Sequence, residues 1–234
     1  MNWTAKTRLS AATPNASPTN GTKPGPLPAV APAANLRISN GLKEFLWLIS
    51  DVPHARVLDL GPVWQSTVSF FVDKGYRVTT EDLLRTWKDF LTTKEEQLRT
   101  APVGEETVKL SPPTLAGEFL QGALQYPEQG FHGILIWDLL DYFDKGVLPC
   151  LMERLNALLH PGGAVLALFH SRPAERFHRY RVVDSQTVEL LAAPTLAVHA
   201  HVFQNREILE LFGKFRSSKT FVGRDQVREG LFLK

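Results

Sequence analysis

From Asn35 onward the apolar positions fall into short blocks that alternate between a period near 3.6 and a period of 2. Leu42, Phe45, Leu46 and Ile49 share one face of a helix that Ser39 or Asn40 can cap. Val57-Leu58-Asp59-Leu60 is the pattern of a short buried strand ending at Gly61. Val68, Phe71 and Val72 then line one face of a helix that Gly75 stops. Tyr76 to Thr80 reads as the next strand, followed by a polar helix from Asp82 to Arg99. Pro102, Pro112 and Pro113 mark an irregular connection, and Glu118–Leu120 is expected to be a third strand.

Gly133-Ile134-Leu135-Ile136-Trp137 is apolar throughout, so this strand should be covered on both faces. The helix after it carries a wide stripe, Val147, Leu148, Leu151, Met152, Leu155, Leu158 and Leu159. His160-Pro161-Gly162-Gly163 stops that helix and turns the chain into a buried strand over Ala164–Phe169. Strands alternating with helices predict an α/β fold, a doubly wound, mostly parallel sheet with helices on both faces. The last third breaks the rhythm. Tyr180–Val183 and Thr187–Leu191 flank Asp184-Ser185-Gln186 as an inserted β-hairpin near 180–191. Asn205 can cap a helix carrying Ile208, Leu209, Leu211 and Phe212, and Ser217–Val222 and Gly230–Leu233 can pair as a C-terminal antiparallel strand pair.

Residues 1–35 are different in kind. They hold six of the 16 prolines and Lys6, Arg8 and Lys23 without an acid, among Ala, Thr, Ser and Asn. So little apolar surface cannot offset the entropy of ordering the segment, and a disordered tail is expected there. That leaves 23 of the 26 basic side chains against all 24 acidic ones in a single domain spanning 36–234, so no strong basic field suggests nucleic acid as a partner. One cysteine, Cys150, excludes an internal disulfide and a multi-cysteine zinc site, and its apolar neighbours predict an inert core position. No apolar run reaches the ~18–20 residues that span a bilayer. The composition is that of a soluble, cytoplasmic protein without a membrane partner, of open oligomeric state.

The blocks themselves carry a resemblance. Val57-Leu58-Asp59-Leu60-Gly61 resembles the first motif of class I S-adenosylmethionine-dependent methyltransferases, in which a strand ends in an acid and a glycine-rich turn beneath the methionine part of the cofactor. Gly75-Tyr76-Arg77-Val78-Thr79-Thr80-Glu81-Asp82 is similar to the family's second strand, whose terminal acid holds the ribose hydroxyls. Phe131–Trp137 with Asp138-Leu139-Leu140-Asp141-Tyr142 resembles the fourth strand and the segment lining the methyl-transfer site, and Leu159-His160-Pro161-Gly162-Gly163 the turn before strand five. The resemblance runs over residues 40–234. It implies S-adenosylmethionine as cofactor, with Asp59, Gly61, Glu81, Asp82, Ala123, Leu124 and Trp137 as its binding residues. It also implies a methyl acceptor, a small molecule or one the sequence does not identify, with Asp138 and His170 as candidate catalytic groups.

There are departures. Where the family's turn reads Gly-x-Gly-x-Gly this chain reads Gly61-Pro62-Val63-Trp64-Gln65, so Val63 and Gln65 put bulk where a cofactor approaches closely, and Trp64 is placed to cap or block the pocket. Ala123 stands where the family often has an acid near the adenine amino group. These departures motivate an alternative, a non-catalytic methyltransferase-like fold acting as a binding or interaction module. A nicotinamide oxidoreductase fits less well, because the glycines lie further still from Gly-x-Gly-x-x-Gly.

Open doubly wound sheets bind ligands at the carboxyl ends of their strands, which is where these residues fall. Each also has an ordinary structural role: Asp59 and Asp82 can cap backbone amides, and Asp141 can begin a helix. His170, after the fifth strand, has the chemistry of a general base near neutral pH. His199-Ala200-His201 has the spacing of two ligands on one strand face, but no further ligands accompany them and no metal site is expected. Arg172, Arg176, His178, Arg179 and Arg181 form a basic cluster, read as solvated side chains around the hairpin with Glu175 and Asp184 as partners.

Overall fold

The structure, a computed structural model, describes residues 35–100, 111–197, 201–223 and 225–234. The described chain opens with β1 (Asn35–Ile38), α1 (Asn40–Ile49), β2 (Arg56–Asp59), α2 (Gln65–Asp73), β3 (Arg77–Thr80) and α3 (Leu83–Thr100). Next come α4 (Pro112–Leu120), β4 (Phe131–Trp137), a 3-10 turn (Leu139–Tyr142), α5 (Leu148–Leu158) and β5 (Leu159–His170). The last elements are β6 (His178–Val182), β7 (Thr187–Ala192), α6 (Asn205–Leu211), β8 (Ser217–Val222) and β9 (Val227–Leu233).

Six strands form the main sheet in the order β3-β2-β4-β5-β9-β8. β3, β2, β4 and β5 run parallel, and β9 is antiparallel to both β5 and β8. The central strands are apolar on both faces because both are covered. Ile134, Ile136, Val165 and Ala167 pack against Leu83 and Trp87 of α3, Phe119 of α4, Leu151 and Leu155 of α5 and Ile208 of α6. The alternate residues Leu135, Leu166 and Leu168 pack against Leu42 and Phe45 of α1 and Phe71 of α2. Gly133 is glycine for a local reason: a Cβ there would lie 2.5 Å from Cζ of Phe45, whose ring rests on the strand.

The expected hairpin is present, with Asp184 Oδ1 accepting from the amides of Gln186 and Thr187 at its turn. It does not stand alone. β7 pairs antiparallel with both β6 and β1, making a second, three-stranded sheet in the order β1-β7-β6.

Some expectations fail. Glu118–Leu120 is not a strand but the end of α4, whose Ser111 cap and prolines at the first two helical positions are a helix start rather than an irregular connection. β1 has no counterpart among the expected strands, and it takes Asn35 out of the expected tail; residues 1–34, like Pro102, lie outside the described residues. Cys150 is half-buried in the wall of a cavity of about 540 Å³ between α5 and α6 rather than in the core.

β1 is fastened by a buried cation. Arg37, 7% exposed, donates to the carboxylates of Glu229 and Asp225 and, at 3.3 Å, to the carbonyl of Val227. Glu229 is itself buried in β9 and accepts the amide of Gly41 at the start of α1. Removing one member of a buried pair strands the other's charge, at a cost of about 3–5 kcal/mol. Glu229→Ala is therefore expected to lower the urea-unfolding free energy by that order; a loss below about 1 kcal/mol would show that the cluster does not hold β1.

Candidate functional site at the carboxyl edge of the sheet

The parallel strands β2, β3 and β4 end side by side, and the candidate residues sit at or just beyond their ends. β2 ends in Asp59, 2% exposed. One of its oxygens, Oδ1, accepts both the amide of Gly61 at 3.0 Å and the indole Nε1–H of Trp137 at 2.7 Å. The indole lies so close over the turn that a Cβ on Gly61 would sit 3.0 Å from Nε1, so the one retained glycine makes room for tryptophan. Trp137 ends β4 with φ 56°, a left-handed conformation that costs a bulky residue about 1–3 kcal/mol. A register shift in the β4–β5 pairing falls between Leu135 and Trp137. Irregularities of this kind re-aim side chains at sheet edges. Tyr180 of β6 stacks on the indole, centroids 5.4 Å apart and planes 3° from parallel.

Beyond β3, Glu81 and Asp82 diverge. Glu81 Oε1 accepts the amide of Leu124 at 3.1 Å, and Leu124 and Ala123 are buried. The carbonyl of Leu124 accepts two bonds from the guanidinium of Arg154. Tyr126 is pushed up to about 12, by burial first and then by its hydrogen bond to Glu81 and that carboxylate's charge. Asp82 uses Oδ1 to cap α3 through the amide of Arg85 at 3.3 Å. Its Oδ2 accepts Arg179 Nη2 at 2.9 Å, with side chains 12% and 21% exposed.

A second polar cluster spans β4, the 3-10 turn and β5. Asp138 Oδ2 accepts Tyr180 Oη–H at 3.0 Å and stands 3.8 Å from His170 Nδ1. Asp141 Oδ2 accepts the backbone amide of His170 at 2.8 Å and lies 3.0 Å from its Nδ1, which fixes the ring. Burial raises Asp138 to about 6, His170 and Tyr180 opposing and Asp141 adding to the rise. For His170 burial works downward, but the hydrogen bond to Asp141 and the charges of Asp138, Asp141 and Asp225 leave it above its ordinary value. Burial, then the neighbouring Asp138 charge, lifts Tyr180 and Tyr142 upward. His170 also lines a cavity of about 240 Å³ with Arg172, Arg176, His178 and Asp225.

The structure thus joins Asp59, Gly61 and Trp137 in one cluster, Glu81 with Leu124 in another, and Asp138 with His170 in a third. Sequence reasoning places Arg179 and Arg181 in solvent; they pair instead with Asp82 and Glu189. Tyr180, invisible as a functional residue in the sequence, touches both Trp137 and Asp138. Trp64, expected to cap the pocket, precedes α2 with its Nε1 buried and without a hydrogen-bond partner among the described residues; Trp137 is the indole over Gly61. His199 lies outside the described residues, among which no group of three or more His, Cys, Asp or Glu side chains could hold a metal. No described helix is long and apolar enough to cross a membrane.

An S-adenosyl cofactor would place its ribose on Asp82 and its methionine part over Gly61, and those groups suit it chemically. Room is what the described arrangement lacks. Between Gly61, Pro62, Trp137, Asp138, Arg179 and Tyr180 the gap is about 10 Å³. A bound small molecule of this kind needs a cleft of ~300 Å³ or more.

No family model matches the sequence, and no curated protein matches it. Among solved structures the chain is similar to Burkholderia thailandensis 1,6-didemethyltoxoflavin-N1-methyltransferase, solved with 1,6-didemethyltoxoflavin and S-adenosylhomocysteine bound, at 18% identity over 83% of this chain and 76% of that one, TM-score 0.44. It is similar to a SAM dependent methyltransferase from Archaeoglobus fulgidus at 12% identity over 82% and 93%, TM-score 0.42. A third, from Methanosarcina mazei, is 14% identical over 78% and 93%, TM-score 0.39. The chain's own strand order, four parallel strands followed by the antiparallel pair β9 and β8 in which β9 alone is reversed, is the class I methyltransferase-like α/β arrangement.

The buried acids make two titrations informative. Burial raises Asp59 from 3.8 to about 6, against its hydrogen bonds to Trp137 and Gly61. The folded state therefore binds the proton more tightly than the unfolded, and stability falls as pH rises through that interval. Asp59→Asn keeps an oxygen for both donors and drops the charge. The variant is expected to be about 1–3 kcal/mol more stable at pH 8, with a flatter profile between pH 4 and 6, in urea unfolding; a loss of stability at pH 8 contradicts this. In the wild type the His170 ring should titrate above its ordinary value by NMR and fall back in Asp141→Asn. An unmoved titration would separate the two residues.

Proposed function

We propose that this chain is an S-adenosylmethionine-dependent methyltransferase acting on a small-molecule acceptor. The observation that carries the reading is Asp82: a carboxylate at the end of β3, beside the Gly61 turn of β2, is the acceptor pair that ribose hydroxyls require at this edge of a doubly wound sheet. Asp59 supports the reading from below, since it shapes the turn on which the cofactor's methionine part would rest. Glu81 and Leu124, tied to each other, would form the adjoining wall. When bound, the cofactor supplies an electrophilic methyl group.

The chain's own work is orientation and proton handling. Orientation is worth most in a displacement between two bound molecules, and a base adds to it when the acceptor must lose a proton. His170 is the candidate base. Asp141 fixes its ring and raises its basicity, and Asp138 shares the electrostatic load. The cavity of about 240 Å³ beside His170 suits a small acceptor. A base held above its ordinary value works in its neutral form, so turnover should rise with pH through and beyond 6.5.

The test is calorimetric titration with S-adenosylhomocysteine. Saturable one-to-one binding is expected, lost in Asp82→Ala with the circular dichroism spectrum unchanged. Wild-type affinity in Asp82→Ala would remove Asp82 from the site. No binding at millimolar ligand, by the wild type or by a variant with an opened cleft, would leave the fold as an interaction module.

A further inference from the structure

The residues that suit a nucleoside and the space they leave disagree, and the disagreement has a structural cause. The Trp137 indole of β4 covers the Gly61 turn, and what fills the cleft beside it comes from β6: Arg179 occupies Asp82 and Tyr180 covers the indole and reaches Asp138, while the Val182 amide, donating to Thr67 Oγ1 of α2 at 3.0 Å, ties the strand down. Arg179 is held for the task, its guanidinium 5.0 Å from the ring centroid of Phe177. β6 is also an edge strand of the small sheet, whereas the opposite edge, β1, is pinned to the main sheet by Arg37. The amide of Ser39, next to β1, donates to the carbonyl of Gln186 at the hairpin turn.

We infer that β6 is a displaceable in-chain occupant of the cofactor cleft, with the Arg179–Asp82 ion pair as its latch and β1 as its fixed side. The inference rests on the methyl-transfer reading. Arg179 occupies with a guanidinium Asp82 Oδ2, the oxygen not used to cap α3 and so the one open to a ribose hydroxyl, so ligand and β6 exclude each other. The cleft opens as Arg179 leaves Asp82, Tyr180 unstacks from Trp137 and the Val182 amide leaves Thr67; the hairpin ladder between β6 and β7 stays intact. Binding then selects the open form, and the apparent dissociation constant exceeds the intrinsic one by the reciprocal of the open fraction.

The experiment compares the full chain with Arg179→Ala, titrating each with S-adenosylhomocysteine and following backbone amide exchange in residues 178–192. Deleting the latch leaves Asp82 in place and raises the open fraction, so the variant is expected to bind about tenfold more tightly. Saturating ligand should speed exchange at the Val182 amide in the wild type, because that amide loses Thr67 as β6 moves while the β6–β7 ladder stays closed, where an ordinary ligand would slow it. Equal affinities in the two proteins, or slower exchange on binding, overturn the latch and leave the methyl-transfer reading standing. Weaker binding by the variant makes Arg179 a ligand contact and also overturns the latch. Binding by neither protein overturns both. Should Arg179→Ala fold poorly by thermal unfolding, Arg179→Gln keeps most of the side chain, removes its charge and has the same expected outcomes.

Discussion

A single buried carboxylate oxygen organises the carboxyl edge of the sheet. Asp59 Oδ1 takes the Gly61 amide and the Trp137 indole together, and so ties the turn after β2 to the end of β4. Neither partner would hold this geometry unaided. The turn needs an acceptor for its buried amide, and Trp137 needs compensation for a left-handed backbone. In return Asp59 carries its charge in a place where burial raises it to about 6. Strain and a buried charge at one point cost stability, and such costs gather where a fold does chemistry rather than where it merely packs.

From that oxygen a chain of contacts runs outward. The fixed indole offers a flat face, Tyr180 stacks on it, and the tyrosine hydroxyl reaches Asp138. Asp138 and Asp141 then bracket His170 at the end of β5. Asp59, Trp137 and the candidate base His170 are therefore linked through Tyr180 and Asp138, and β6 supplies that link. The same packing that positions His170 also fills the cleft, which links access to the site with the position of one edge strand.

The architecture was largely legible in the sequence because buried parallel strands must be apolar on both faces: β4 and β5 could be little else. β1 escaped because its one buried residue is Arg37, the reverse of a strand signal. Glu118–Leu120 misled because three residues of mixed polarity have no period, while the prolines that start α4 read equally well as a breaker. Asp59, Asp82, Asp138 and His170 were visible because strand ends are where such sheets place chemistry. Their partners were not. Arg179 meets Asp82 across 97 positions of sequence, and only the way the small sheet folds over the edge brings them together.

The most direct measurement is a crystal structure of the chain with S-adenosylhomocysteine. The ribose is expected on Asp82, with Arg179 withdrawn from it, Tyr180 lifted from Trp137 and β1 still pinned by Arg37. A ligand bound elsewhere, with the Arg179–Asp82 pair intact, would contradict β6 as the occupant of the cofactor cleft.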